Sequence, residues 1–193
     1  MGCRQSFCWL KAAGALVLIW GLICCLAWGL LLVSPAAARA QEPPIVSARV
    51  VHSRDAYPQG GTYPLALELA IAPKFHINSD RPAEPDLFPS KLSWTLAPGL
   101  TLAPAIFPPA QKYQPAFAKQ PLLVLSGRVL VKTTLQVAGD VAAGSQRLSA
   151  HLTYQACDDQ SCLMPAELEI PIMVQVVPAG ADSKQINQEI FRK

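Results

Sequence analysis

Two cysteines, Cys157 and Cys162, stand with four residues between them in the run Tyr154-Gln155-Ala156-Cys157-Asp158-Asp159-Gln160-Ser161-Cys162-Leu163-Met164-Pro165. A close thiol pair can bridge, exchange with another protein's thiol, or hold a metal. Residues 158–161 are turn formers whose short side chains bond their own backbone. A four-residue hairpin loop sets the cysteines opposite each other, close enough to bridge, at the tip of a domain. As a staple the bridge closes a ring of only six residues, and loop entropy then gives about 2 kcal/mol. As an exchanging pair it sits where a partner's thiolate can reach it. On the residues alone both readings stand. A thioredoxin-type site is excluded: it needs two residues between the cysteines and a helix N-terminus to lower one thiol pKa. Here Asp158 and Asp159 disfavour a thiolate. Zinc lacks its remaining ligands, since His52, His76 and His151 have no ligand spacing. Each histidine reads as an ordinary strand or loop residue. No metal and no cofactor are expected, and no Ser–His–Asp order, phosphate loop or carboxylate pair stands out.

The compartment follows from the first 40 residues, which carry Arg4, Lys11 and Arg39 and no acid. A basic start, the apolar run 12–33 and Ala38-Arg39-Ala40 read as a signal peptide cleaved after Ala40. The run of 22 residues also suits an uncleaved anchor, since about 20 span a bilayer. Lipid attachment at Cys24 or Cys25, or myristoylation at Gly2, is a weaker reading. Cleavage leaves Cys157 and Cys162 as the remaining cysteines of the six, in an oxidising compartment where they can pair. It also leaves 13 basic against 13 acidic residues. That balance excludes the basic stripe of a nucleic-acid binder and a polybasic membrane surface.

The elements that must position the pair are strands. Residues 41–193 hold 17 prolines, too many for long helices. Strand patterns cover 45–52, 63–72, 91–96, 122–137 with a break near Ser126-Gly127, 147–156 and 166–177. Six to eight strands separated by turns predict an all-β, immunoglobulin-like antiparallel sandwich over 41–181. Residues 182–193 form a short helix or tail, with Ile186, Ile190 and Phe191 on one side. Residues 75–89 and 104–121 do not read as strands. The second is a Pro-rich loop carrying Phe107, Tyr113 and Phe117, of the length that is often functional.

The hairpin run, with Lys74-Phe75-His76-Ile77-Asn78-Ser79, Pro82 and Ser126-Gly127-Arg128-Val129, resembles the periplasmic N-terminal domain of the thiol:disulfide interchange protein DsbD. The resemblance spans residues 45–177. It implies an immunoglobulin-like fold and a protein-disulfide reductase type of thiol–disulfide oxidoreductase. Electrons would pass from a thioredoxin-like or membrane thiol reductase to envelope substrate proteins, including disulfide isomerases and cytochrome c maturation thioredoxins. It implies that Cys162 is the attacking thiol and Cys157 the resolving one. It also implies a cap loop at 112–120, with Phe117 or Tyr113 shielding the pair. The chain ends at Lys193, without the membrane and C-terminal thioredoxin-like domains of that family's full-length members. A standalone domain with a separate membrane reductase is therefore expected. The alternatives are an immunoglobulin-like binding module or a cytochrome-assembly accessory protein, each with a structural hairpin disulfide.

Overall fold

The computed structural model describes residues 43–192. The signal peptide, its cleavage after Ala40 and the cysteines at 3, 8, 24 and 25 lie outside the described residues.

Alternating apolar residues build two facing sheets. The first runs in the order β1 (Val46–His52), β3 (Thr62–Ile71), β9 (Arg128–Val137), β6 (Leu100–Leu102). The second runs β2 (Tyr57–Pro58), β12 (Ala166–Val177), β10 (Gly144–Tyr154), β5 (Lys91–Thr95). Leu65, Leu67 and Leu69 of β3 meet Leu148, Ala150 and Leu152 of β10 and Ile170, Ile172 and Val174 of β12 in one buried cluster. Each of these residues is two places from the next, so its neighbours in sequence turn to the other face. Apolar burial of this kind is the main favourable term holding the sheets together. The pairings of β1, β3, β9 and β6, and of β12, β10 and β5, are antiparallel as expected; the two-residue contact of β2 with β12 is parallel.

A third sheet extends from one end. Its order is β11 (Ala156–Cys157), β4 (His76–Asn78), β8 (Leu122–Leu125), β7 (Gln111–Tyr113). Here the structure corrects the sequence reading, because β4 and β7 fall inside residues 75–89 and 104–121, which do not read as strands. Both are three residues long and flanked by prolines, too short to show a period. The third sheet is built from chains that leave the sandwich. β3 turns into β4 through Lys74, whose φ is 71°. β8 turns into β9 through Ser126-Gly127, as the sequence break indicates, with φ 65° at Gly127. Gln155 separates β10 from β11. The Gly127 carbonyl accepts the Ile71 N–H at 2.9 Å, which ties two of these corners together.

Among the described residues helix is confined to α1 (Gln188–Phe191), a single turn. Before it, residues 183–187 fold back on the β1–β2 corner. The Lys184 N–H donates to Asp55 Oδ1 at 2.8 Å, and the Arg54 guanidinium donates to the Ser183 carbonyl at 2.8 Å. Among the described residues no helix is long and apolar enough to cross a membrane.

Gly127 tests the corner. A Cβ there would meet nothing within 4 Å, so Gly127→Ala carries only the left-handed backbone penalty. The expected destabilisation is about 1 kcal/mol, read as a lower urea midpoint at unchanged slope.

Candidate functional site

Cys157 and Cys162 face each other across a tight hairpin and are bridged, with 4.0 Å between their Cα atoms. Two backbone bonds bracket the pair. The Asp158 N–H donates to the Ser161 carbonyl at 2.9 Å, and the Leu163 N–H donates to the Ala156 carbonyl at 2.8 Å. The cysteines thus occupy a non-hydrogen-bonded pair, the position of closest approach in an antiparallel ladder. The turn is locked by Asp158, whose Oδ1 accepts the N–H groups of Gln160 and Ser161, both at 2.8 Å. Those bonds hold its carboxyl below the usual carboxylate range.

The two sulfurs are not equally placed. Cys157 is fully buried, at 0% exposure, and Cys162 is half-buried. The bridge read from sequence as an exposed hairpin tip is thus exposed on one side only: one cysteine belongs to the third sheet and the other to the surface. The cause is pairing, because Cys157 lies opposite His76 in β4 while Cys162 returns outside the sheet. Beyond it Leu163 is 40% and Met164 85% exposed.

Side chains pin the hairpin to the sheet. The Gln155 amide nitrogen donates to the Leu163 carbonyl at 3.0 Å, and its oxygen accepts from Asn78 Nδ2 at 3.3 Å. Asn78 Nδ2 also donates to the Phe88 carbonyl at 3.0 Å, and Ser90 Oγ donates to the Asn78 carbonyl at 2.5 Å. These bonds fold residues 79–90 against β4. Asn78 and His76 lie two apart on the strand and share a face; Asn78 Oδ1 and His76 Nε2 are buried without a partner among the described residues.

Tyr113 reaches this site. Its ring lies 4.7 Å, centroid to centroid, from the His76 imidazole, tilted by 53°. Its hydroxyl donates to Asp159 Oδ1, which raises the phenol pKa above its ordinary value. Tyr113 therefore links the β7–β8 hairpin to the cysteine turn. Phe117 stands on the turn of that hairpin and is 43% exposed. The loop around it is closed by the Gln114 amide, which donates to the Ala118 carbonyl at 2.6 Å. Burial lowers the His76 pKa, opposed by the Asp159 and Asp158 carboxylates.

Sequence reading missed His76, Asn78 and Gln155 as members of the site. The available signal was two polar residues flanking Ile77, a pattern of a strand with one polar buried face. Among the described residues, no group of three or more His, Cys, Asp or Glu side chains is placed to hold a metal ion.

An immunoglobulin-like sandwich with a bridged hairpin on a terminal sheet defines the class. The family model described as thiol:disulfide interchange protein DsbD, N-terminal, matches residues 44–173, and the chain belongs to that family. Among solved structures, the reduced DsbD N-terminal domain of Neisseria meningitidis is similar at 16% identity and a TM-score of 0.39, covering 68% of this chain and 86% of that one. A PapD-like domain of human CEP192 is similar at 13% identity and a TM-score of 0.29, covering 76% and 96%. A family 123 glycoside hydrolase of Clostridium perfringens gives 9% and 0.28, covering 69% and 28%. No curated protein matches.

The tyrosine–aspartate bond has a pH signature. The phenol pKa is raised in the folded chain, so the bond's contribution to stability is complete below about pH 10, the unfolded value. It is lost as pH rises through the higher folded value. Asp159→Asn should bring the Tyr113 ionisation, followed by tyrosinate absorbance against a Tyr113→Phe control, back toward about pH 10. An unchanged midpoint would mean that Asp159 does not hold the phenol.

Proposed function

We propose that the chain is a periplasmic thiol–disulfide relay domain, with Cys162 as the exchanging sulfur and Cys157 as the resolving one. The supporting observation is the unequal burial of the two cysteines. Exchange needs in-line access of a thiolate to one sulfur. Cys162 offers that access, while Cys157 is enclosed by the third sheet and suits the thiol that a docked partner leaves behind. A partner thiolate attacks Cys162 Sγ, the bridge breaks, and Cys157 departs as the leaving sulfur. A second thiol of the partner then attacks its own mixed-disulfide sulfur and releases Cys162. The partner is oxidised by two electrons and this chain holds them as two thiols. The reverse sequence hands them to an oxidised partner.

Thioredoxin-like envelope proteins and a membrane thiol reductase are the partners this reading requires. No cofactor takes part. Tyr113 and Phe117 serve as the shield of the pair: the first through its contacts to His76 and Asp159, the second from the adjoining turn. Membership of the DsbD N-terminal family supports the exchange chemistry. A ring of six residues adds little stability, so a purely structural bridge has little to do here.

Three measurements follow from these roles. The reduction potential of the pair should lie above about −300 mV, the limit below which structural disulfides fall. Expressed in its own envelope, Cys157→Ala should accumulate reductant-sensitive covalent complexes with thioredoxin-like proteins, and Cys162→Ala far fewer. Adducts from neither variant would defeat the relay in favour of a binding or assembly module; adducts mainly from Cys162→Ala would reverse the roles. Phe117→Ala should speed opening of the bridge by a small thiol reductant without moving the urea midpoint. A rate unchanged from wild type in both that variant and Tyr113→Ala would remove the shield.

A further inference from the structure

His76 is 4% exposed, and its Nε2 has no hydrogen-bond partner among the described residues. A buried polar atom without a partner costs on the order of 1–3 kcal/mol, so its retention calls for a use. His76 is the direct cross-strand neighbour of Cys157. Paired residues on adjacent antiparallel strands put their side chains on one face, with Cβ atoms about 5 Å apart. The Tyr113 ring also packs against the imidazole.

We propose that His76 is the proton acceptor and donor for the Cys157 thiol as the bridge closes and opens. This rests on the exchange reading above and adds a residue to it. The need is electrostatic: Cys157 must become a thiolate to attack, and a thiolate enclosed at 0% exposure is disfavoured by burial. In closing, the neutral imidazole takes the Cys157 proton. The thiolate attacks Cys162 Sγ in the mixed disulfide, the Cys157–Cys162 bond forms, and the partner's sulfur leaves with the electron pair and receives the proton from the imidazolium. Opening runs the same steps backwards.

The groups facing the imidazole fit this role. Tyr113 comes from β7, Cys157 from β11, and Asp158 and Asp159 from the turn; on its own strand Asn78 shares its face. Burial keeps the ring neutral before the step, and the two carboxylates favour the imidazolium once it forms. Asp159 is bonded to Tyr113 and Asp158 to the turn amides, so both charges are fixed in place beforehand.

The test uses the reduced protein and dithiobis(nitrobenzoate), an aromatic disulfide that releases a coloured thiolate at each step. The first release reports attack by Cys162 and the second reports closure by Cys157. In the wild type the second rate should rise with the deprotonation of a group titrating at or below about pH 6.5 and then level off until the thiol range. In His76→Gln it should be slower by about 100-fold near neutral pH. It should climb steadily toward the thiol range at about pH 8.5 and above, with the first release unchanged. Equal second rates and profiles in the two proteins overturn the assignment. So does a wild-type profile that climbs without a plateau, which decides the matter even if His76→Gln does not fold. A histidine-dependent second step with no capture of thioredoxin-like partners would sink the relay and leave this role standing.

Discussion

The ladder in which Ala156 and Cys157 pair with Ile77 and His76 is the contact on which the rest of the site depends. β10 belongs to the second sheet, and β3 to the first. Their continuations β11 and β4 meet only after each chain has left its own sheet. Two residues of pairing therefore close one end of the sandwich. They also bury Cys157, place it beside an imidazole, and fix where Asp158 begins its turn. Without that ladder the hairpin would have two equivalent faces, and nothing would distinguish its cysteines.

This end of the molecule is held by different forces from the rest. The sandwich core is mostly aliphatic, with Tyr57 and Tyr154 buried among its members. Among the described residues the buried polar ones are His76, Asn78, Ser79, Ser90, Ser53 and Thr133, and the first four lie on or beside β4. Buried polar groups are tolerated when they are hydrogen-bonded, and here Asn78 binds the carbonyl of Phe88 and the oxygen of Gln155, while Ser90 binds Asn78 in return. Such bonds are directional where aliphatic contacts are not. They specify the position of residues 79–90 and of the hairpin to within a hydrogen bond, a precision that loose apolar packing does not supply.

Long strands were legible because their period is long enough to count. The runs around Leu65–Leu69 and Ile170–Val176 alternate over several repeats, and Gly127 marks a corner by its freedom at positive φ. β4 and β7 were not legible. Three residues contain no repeat, and β4 is buried on both faces, so its alternation of His76, Ile77 and Asn78 reads as polar loop. The cysteine hairpin was readable from its turn formers. The unequal burial of its sulfurs was not, because it arises from a partner strand 80 positions upstream, near His76 and Ile77. Tyr113 was found through resemblance; its contact with His76 and Asp159 depends on a pairing of β7 with β8 that composition does not announce.

The bridge joins residues that the turn already holds face to face, and the Asp158 and Leu163 backbone bonds on either side of it do not involve sulfur. Opening it releases no strand and shortens no ladder. In the proposed exchange these backbone bonds would serve both oxidation states alike, since neither is made by sulfur. On that proposal a partner would tell the two states apart only at the few side chains around Cys162, so that recognition and reaction would occupy the same small surface.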